Sequence, residues 1–177
     1  MADIDITVAY PPKREKNAKE FLKAFLFYFV QWTWGFLVNF PAALMFLYWV
    51  LIKKCRWQRF DYNFIVYIPW KKGGMSMGTF VFLRENHPDP VWTYNSRIHE
   101  YGHTWQCLVL GPLFYLVVAI PSAIWYNFFA GYREKNQVSY YKLYCESWAN
   151  NWGMKVTGMP MKLDKLFTNG VQYTNGR

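Results

Sequence analysis

His99-Glu100-Tyr101-Gly102-His103 sets two imidazoles four residues apart, with a carboxylate directly after the first. On a helix, residues i and i+4 share a face, so both rings can bind one Zn2+ while Glu100 projects beside them toward a metal-activated water. The metal acidifies that water and polarises a carbonyl. The glutamate takes the proton and can pass it to a leaving amine. This is the chemistry of amide hydrolysis, with His99 and His103 as ligands and Glu100 as general base. The chain has 3 histidines, and two of them stand in this pattern.

Catalytic zinc has three protein ligands and one open position, so a third ligand is required. His87 lies in the proline-rich loop His87-Pro88-Asp89-Pro90, where it also fits a plain loop histidine. Glu146 is the better candidate: it falls on an expected helix in Glu146-Ser147-Trp148-Ala149-Asn150, where Ala149 permits close helix packing. H-E-Y-G-H followed by E-S-W-A-N resembles the gluzincin branch of zinc metallopeptidases, whose second helix carries E-x-x-A-D or a close variant. The likeness is greatest to membrane gluzincins of the CAAX-prenyl-protease type and to minimal gluzincin domains, and it covers about Gly73 to Gly153. The resemblance implies ligands His99, His103 and Glu146, base Glu100, and an edge strand around Met75 to Leu83 that aligns an extended substrate. It departs at Asn150, where an aspartate would accept from a ligand histidine; an amide accepts without adding charge.

The elements that must position these residues are read as α+β, mostly α, in a single domain over 1–177. Residues 62–68 and 75–83 form a small antiparallel β-hairpin, and residues 86–90 a loop. Asn95 or Ser96 caps the active-site helix, so hairpin and helix occupy 62–104. The helix with the third ligand covers 138–153 and ends at Gly153. An irregular tail follows over 154–177.

Two apolar segments complete the chain. Residues 21–52 carry one charge, Lys23, in 32 residues: too many for one straight span of roughly 20 and too few for two. Asn39-Phe40-Pro41 predicts a kink or a shallow hairpin there. In 105–130, Gly111-Pro112 and Pro121 divide an uncharged run into pieces too short to cross. The 177 residues include 20 Lys and Arg against 11 Asp and Glu, a net charge of +9, with 22% aromatic and 18% charged residues. That composition excludes a disordered basic tail and disfavours an ordinary soluble enzyme. Basic residues flank both segments on every side, so the positive-inside bias predicts re-entrant segments with all polar parts cytoplasmic. The expected partners are anionic lipids of the bilayer and a membrane-associated polypeptide substrate, not nucleic acid. Glu146 reaches the histidines only if 105–130 leaves the site and returns to the same side.

Three features point elsewhere. Gly74-Met75-Ser76-Met77-Gly78 matches the serine-hydrolase elbow, but strand-like residues follow where that elbow needs a helix. Cys55, Cys107 and Cys145 are too far apart for a thiolate metal site and read as reduced thiols. Tyr140, Tyr141 and Tyr144 are candidate hydrogen-bond donors to an oxyanion, and a tyrosine-rich core helix explains them equally well. A second reading is a non-catalytic membrane scaffold or accessory protein that retains a zincin-like metal site; a fourth coordination position closed by His87 would mark it.

Overall fold

A computed structural model describes residues 14–71 and 73–161. The chain is α+β and mostly helical, with one mixed four-stranded sheet. Helices α1 (Ala18–Thr33) and α2 (Phe36–Leu47) come first, and a π-helical turn, Tyr48–Ile52, continues α2. Strands β1 (Trp57–Phe60), β2 (Asn63–Ile68), β3 (Gly74–Met77) and β4 (Phe80–Arg84) follow. Helix α3 (Pro90–Leu110) is succeeded by the short turns Gly111–Leu113 and Tyr115–Ala119, then α4 (Ile120–Phe128) and α5 (Ala130–Asn136). A 3-10 turn, Tyr140–Lys142, leads into α6 (Tyr144–Thr157).

The sheet order is β1-β2-β4-β3. The expected single strand over 75–83 is broken at Gly78, whose φ of 61° forms the two-residue turn between antiparallel β3 and β4. Residues 62–68 pair antiparallel with β1 and parallel with β4 instead of forming the expected hairpin with 75–83. Short range alone does not reveal this: β1 has a mixed burial pattern, and the β2–β4 pairing depends on a crossover. One sheet face packs with α1 and α3 through Phe60, Ile65, Tyr67, Val81, Leu83 and Ile98. The other packs on α2 through Ala42, Phe46, Val66, Ile68 and Phe82.

No single described helix is long and apolar enough to cross a membrane, but two bent pairs pass that test by length and composition. The first, Ala18–Thr33 with Phe36–Ile52, turns by 95° at Trp34-Gly35 and not at Pro41. Pro41 lies inside α2, where it cannot donate to the carbonyl of Leu37; the Tyr115 hydroxyl donates to that carbonyl at 3.1 Å. Gly35 takes the bend because a Cβ there would meet the Gln31 carbonyl at 2.8 Å and the Asn39 amide at 3.0 Å. The Asn39 Nδ2 donates to both Gln31 and Gly35 carbonyls, holding the corner. The second pair, Pro90–Leu113 with Tyr115–Phe128, turns by 117° after Gly111, as Gly111-Pro112 suggested. Pro121 does not divide it further: it sits in the first turn of α4, and the Tyr144 hydroxyl donates to the carbonyl of Val117, four residues before it. The Trp34 indole joins the two bends, lying on Gly111 and donating to the Val109 carbonyl at 3.1 Å.

Two helix boundaries also differ from expectation. Helix α3 begins at Asp89-Pro90, not at Asn95 or Ser96: the Asp89 side chain accepts from the Val91 amide at 2.9 Å and proline suits the first turn. Asn95 and Ser96 are buried within that helix. Helix α6 begins only at Tyr144 and passes through Gly153 to Thr157, where Gly158, at φ 66°, ends it. The expected tail therefore begins within α6, and its residues 162–177 lie outside those described.

Candidate metal centre

Helices α3 and α6 cross closely because two glycines lie at the contact. A Cβ on Gly102 would overlap the Ala149 carbonyl, and one on Gly153 would overlap the Ile98 carbonyl. Gly153 thus serves packing where a helix end was expected. The crossing brings Glu146, in the first turn of α6, against His99 and His103 on α3. All three are buried, and their ligand atoms lie within 4.8 Å of one another.

Hydrogen bonds at the far side of each ring decide how the near side behaves. His103 Nδ1 is 2.6 Å from Gln106 Oε1, and the Gln106 amide is oriented by its Nε2 donating to the Cys145 carbonyl at 2.8 Å. His99 Nδ1 is 2.6 Å from Asn150 Oδ1. Amide oxygens only accept, so both rings carry a proton on Nδ1. Each Nε2 then points a lone pair inward. The two Nε2 atoms are 3.1 Å apart, and Glu146 Oε2 lies 3.0 Å from that of His99 and 3.4 Å from that of His103. Glu146 Oε2 is fully buried, with both ring nitrogens facing it. Two lone pairs and a carboxylate oxygen facing one another require positive charge between them, either a proton or a metal ion. The donor set fits a divalent metal.

The protonation tendencies agree. Burial pulls His103 down, but the charge of Glu146 and its hydrogen bond outweigh it and raise the imidazole to about 9. Burial pushes Glu146 up, yet the two histidines hold it well below the ordinary carboxylate range. Glu100 moves the other way: burial raises it, opposed by His99 and His103 and reinforced by Glu146.

Glu100 stands beside the triad and lines the same cavity of about 470 Å3. Its Oε2 is buried without a hydrogen-bond partner. Gly74 makes room for it, since a Cβ there would overlap Glu100 Oε1. The glycines and serine of the elbow-like sequence therefore belong to the sheet: Ser76 Oγ is 3.3 Å from Thr104 Oγ1, and Gly78 abuts the Asn39 amide. His87 is not in the ligand group; its ring stacks on Trp92 at 4.0 Å, and its Nδ1 accepts from the Asp89 amide at 3.1 Å. Tyr140 lines the cavity with its hydroxyl 2.6 Å from Ser122 Oγ, and burial raises it well above the ordinary phenol value, so it stays a donor. Tyr141 meets the His99 ring edge-on at 4.9 Å, whereas the Tyr144 hydroxyl goes to Val117.

Comparison with family profiles, curated proteins and solved structures returned no match.

Gln106 escaped the sequence reading although a signal was present. It lies three residues after His103 and hence on the same helical face. The roles of Gly74, Gly102 and Gly153 had no local signal, because each depends on a neighbour distant in the chain.

Proposed function

We propose that the protein is a membrane-embedded, zinc-dependent metallopeptidase of gluzincin type. The observation that carries this reading is the convergence of the two inward-facing Nε2 atoms and Glu146 Oε2 beside Glu100, whose Oε2 has no hydrogen-bond partner, in one cavity. Two imidazoles and a carboxylate suit Zn2+. A metal held there would supply an acidified water and a polarised peptide carbonyl. Glu100, raised by burial toward a pKa useful to a general base, takes the water's proton and returns it to the leaving amine. Tyr140, protonated and facing the cavity, can donate a hydrogen bond to the substrate oxygen as it gains charge. β3 is an edge strand along the cavity, so an extended polypeptide can add to it as a further strand. With His87 engaged by Trp92 and Asp89, the described residues leave the fourth coordination position to the cavity, which favours catalysis over a closed structural site.

The outward face of both bent pairs supports membrane embedding. Phe21 is 75% exposed, Ile52 68%, Leu116 65% and Phe128 80%, and Phe25, Phe29, Leu37 and Leu44 are exposed as well. Basic residues at the ends of these segments, such as Lys16, Lys19, Lys53, Lys54 and Lys135, favour contact of those ends with an anionic surface and, by the positive-inside bias, a cytoplasmic orientation. The substrate is then a membrane-anchored or surface-bound polypeptide.

The deciding experiment is elemental analysis of detergent-purified protein together with hydrolysis of a peptide library. Wild type is expected to hold near-stoichiometric zinc and to cleave; Glu146→Ala to lose the metal; Glu100→Gln to keep it while losing hydrolysis. Hydrolysis that survives Glu100→Gln would overturn the mechanism.

A further inference from the structure

The cavity at the metal triad is chemically two-ended. One wall is apolar and comes from the run after the second bend: Phe114, Val118, Ala119, Ala123 and Tyr126. The other end carries Lys71 and Arg84. Neither takes part in an ion pair among the described residues, whose Lys and Arg ion pairs involve only Arg14 and Lys23. The two acids that line the cavity, Glu100 and Glu146, already belong to the metal site. A cationic end without a carboxylate of its own is matched by a carboxylate that arrives with the ligand.

β3 lies between the two ends and gives them a direction. Its first residue, Gly74, adjoins Gly73, whose carbonyl accepts from the Arg84 amide at 3.2 Å, so this is the cationic end. Its last residue, Met77, packs in the cluster of Val38, Phe114 and Val118, the apolar end. A segment that adds antiparallel to β3 runs from Met77 toward Gly74, so its earlier residues meet the apolar wall and its later ones meet Lys71 and Arg84.

Resting on the peptidase reading, we propose that this cleft selects an extended polypeptide with apolar residues on the N-terminal side of the metal and a carboxylate on the C-terminal side, read by Lys71 and Arg84. The apolar wall belongs to the same run whose outer face carries Leu116 and Ile120, both exposed, so such a segment can pass from a lipid-facing surface into the site.

The test reads binding without turnover. Full-length Glu100→Gln protein is loaded with zinc in micelles, and fluorescence anisotropy follows a labelled peptide of apolar residues followed by aspartates. Replacing the aspartates with lysines is expected to weaken binding by about tenfold or more, and reversing the order of the peptide to weaken it comparably. Asparagine versions with a free or an amidated C-terminus separate a terminal carboxylate from a side-chain one; tighter binding of either acid form supports the proposal. Adding Lys71→Glu, on an exposed turn, or Arg84→Glu should erase the preference for aspartate, and both together should invert it toward lysine. The proposal is overturned if wild-type Lys71 and Arg84 bind aspartate and lysine peptides equally, or bind the reversed peptide as well. Failure of Glu100-bearing protein to cleave any peptide would instead count against the peptidase reading, because anisotropy does not depend on cleavage.

Discussion

The histidines can serve as ligands only because something holds their outer nitrogens. Gln106 and Asn150 do so with neutral amides, one braced by the Cys145 carbonyl. Gln106→Leu should keep the fold but weaken zinc binding about 10- to 100-fold in chelator competition, since His103 loses the acceptor that fixes its tautomer. Asn150→Asp should tighten binding, because a charged acceptor makes His99 more basic; an unchanged affinity would mean that the amide is not orienting the ring. The pH dependence follows from His103. Its pKa in the folded, metal-free protein is raised from the ordinary 6.5 to about 9, so the stability from its contact with Glu146 is complete below about 6.5 and lost as pH rises through 9. Metal must displace that proton. Zinc binding should therefore release protons below about pH 9, and apparent affinity should climb as pH rises toward 9, measurable by calorimetry in buffers of different ionisation enthalpy.

Elements are held by close approaches and by redirected hydrogen bonds. Gly102→Ala or Gly153→Ala would put a methyl into the carbonyl of Ala149 or Ile98, separating α3 from α6. Each should cost about 1–3 kcal/mol of stability and lower zinc content, because Glu146 withdraws with α6. The prolines have a different logic. Pro41 and Pro121 each leave a carbonyl without its helical donor, and Tyr115 and Tyr144 supply hydroxyls to Leu37 and Val117. Tyr115→Phe should cost about 1 kcal/mol when Pro41 is present and much less in a Pro41→Ala background, where a backbone N–H returns. Additive effects in that double-mutant cycle would reject the compensation. These pairings explain why Pro41 neither breaks nor sharply bends α2: sequence shows the missing donor but not the tyrosine that replaces it from another segment.

For the whole molecule, in the membrane arrangement proposed above, the bends would set the depth of insertion. Helix α1 has 16 residues, about 24 Å, and at a 95° turn bisected by the bilayer normal it descends about 18 Å. The run from Tyr115 to Phe128, about 21 Å long and turned by 117°, descends about 18 Å as well. Both match one leaflet of roughly 15 Å with its interface and fall short of the roughly 30 Å core. Trp34, against Gly111 where the two bends meet, would then mark the common deepest point. Brominated lipids should quench a probe at position 34 most strongly when the bromines lie near the bilayer centre, and epitope tags at both termini and in the 53–59 region should share one side in protease protection. Tags on opposite faces would defeat the one-leaflet arrangement.

The candidate metal group His99, His103 and Glu146 was legible in the sequence because i, i+4 spacing and a second helical motif are local patterns, and a local pattern survives without knowledge of the fold. The mostly helical α+β class and the two interrupted apolar segments were legible for the same reason. The parallel pairing of β2 with β4, the bend at Gly35 in place of Pro41, and the passage of α6 through Gly153 were not, because each turns on a partner far along the chain: a crossover strand, the Tyr115 hydroxyl, the Ile98 carbonyl. Local chemistry named the candidate ligands. Only tertiary packing, which leaves no Cβ at Gly102 and Gly153 where α3 crosses α6, brought them within reach of one ion.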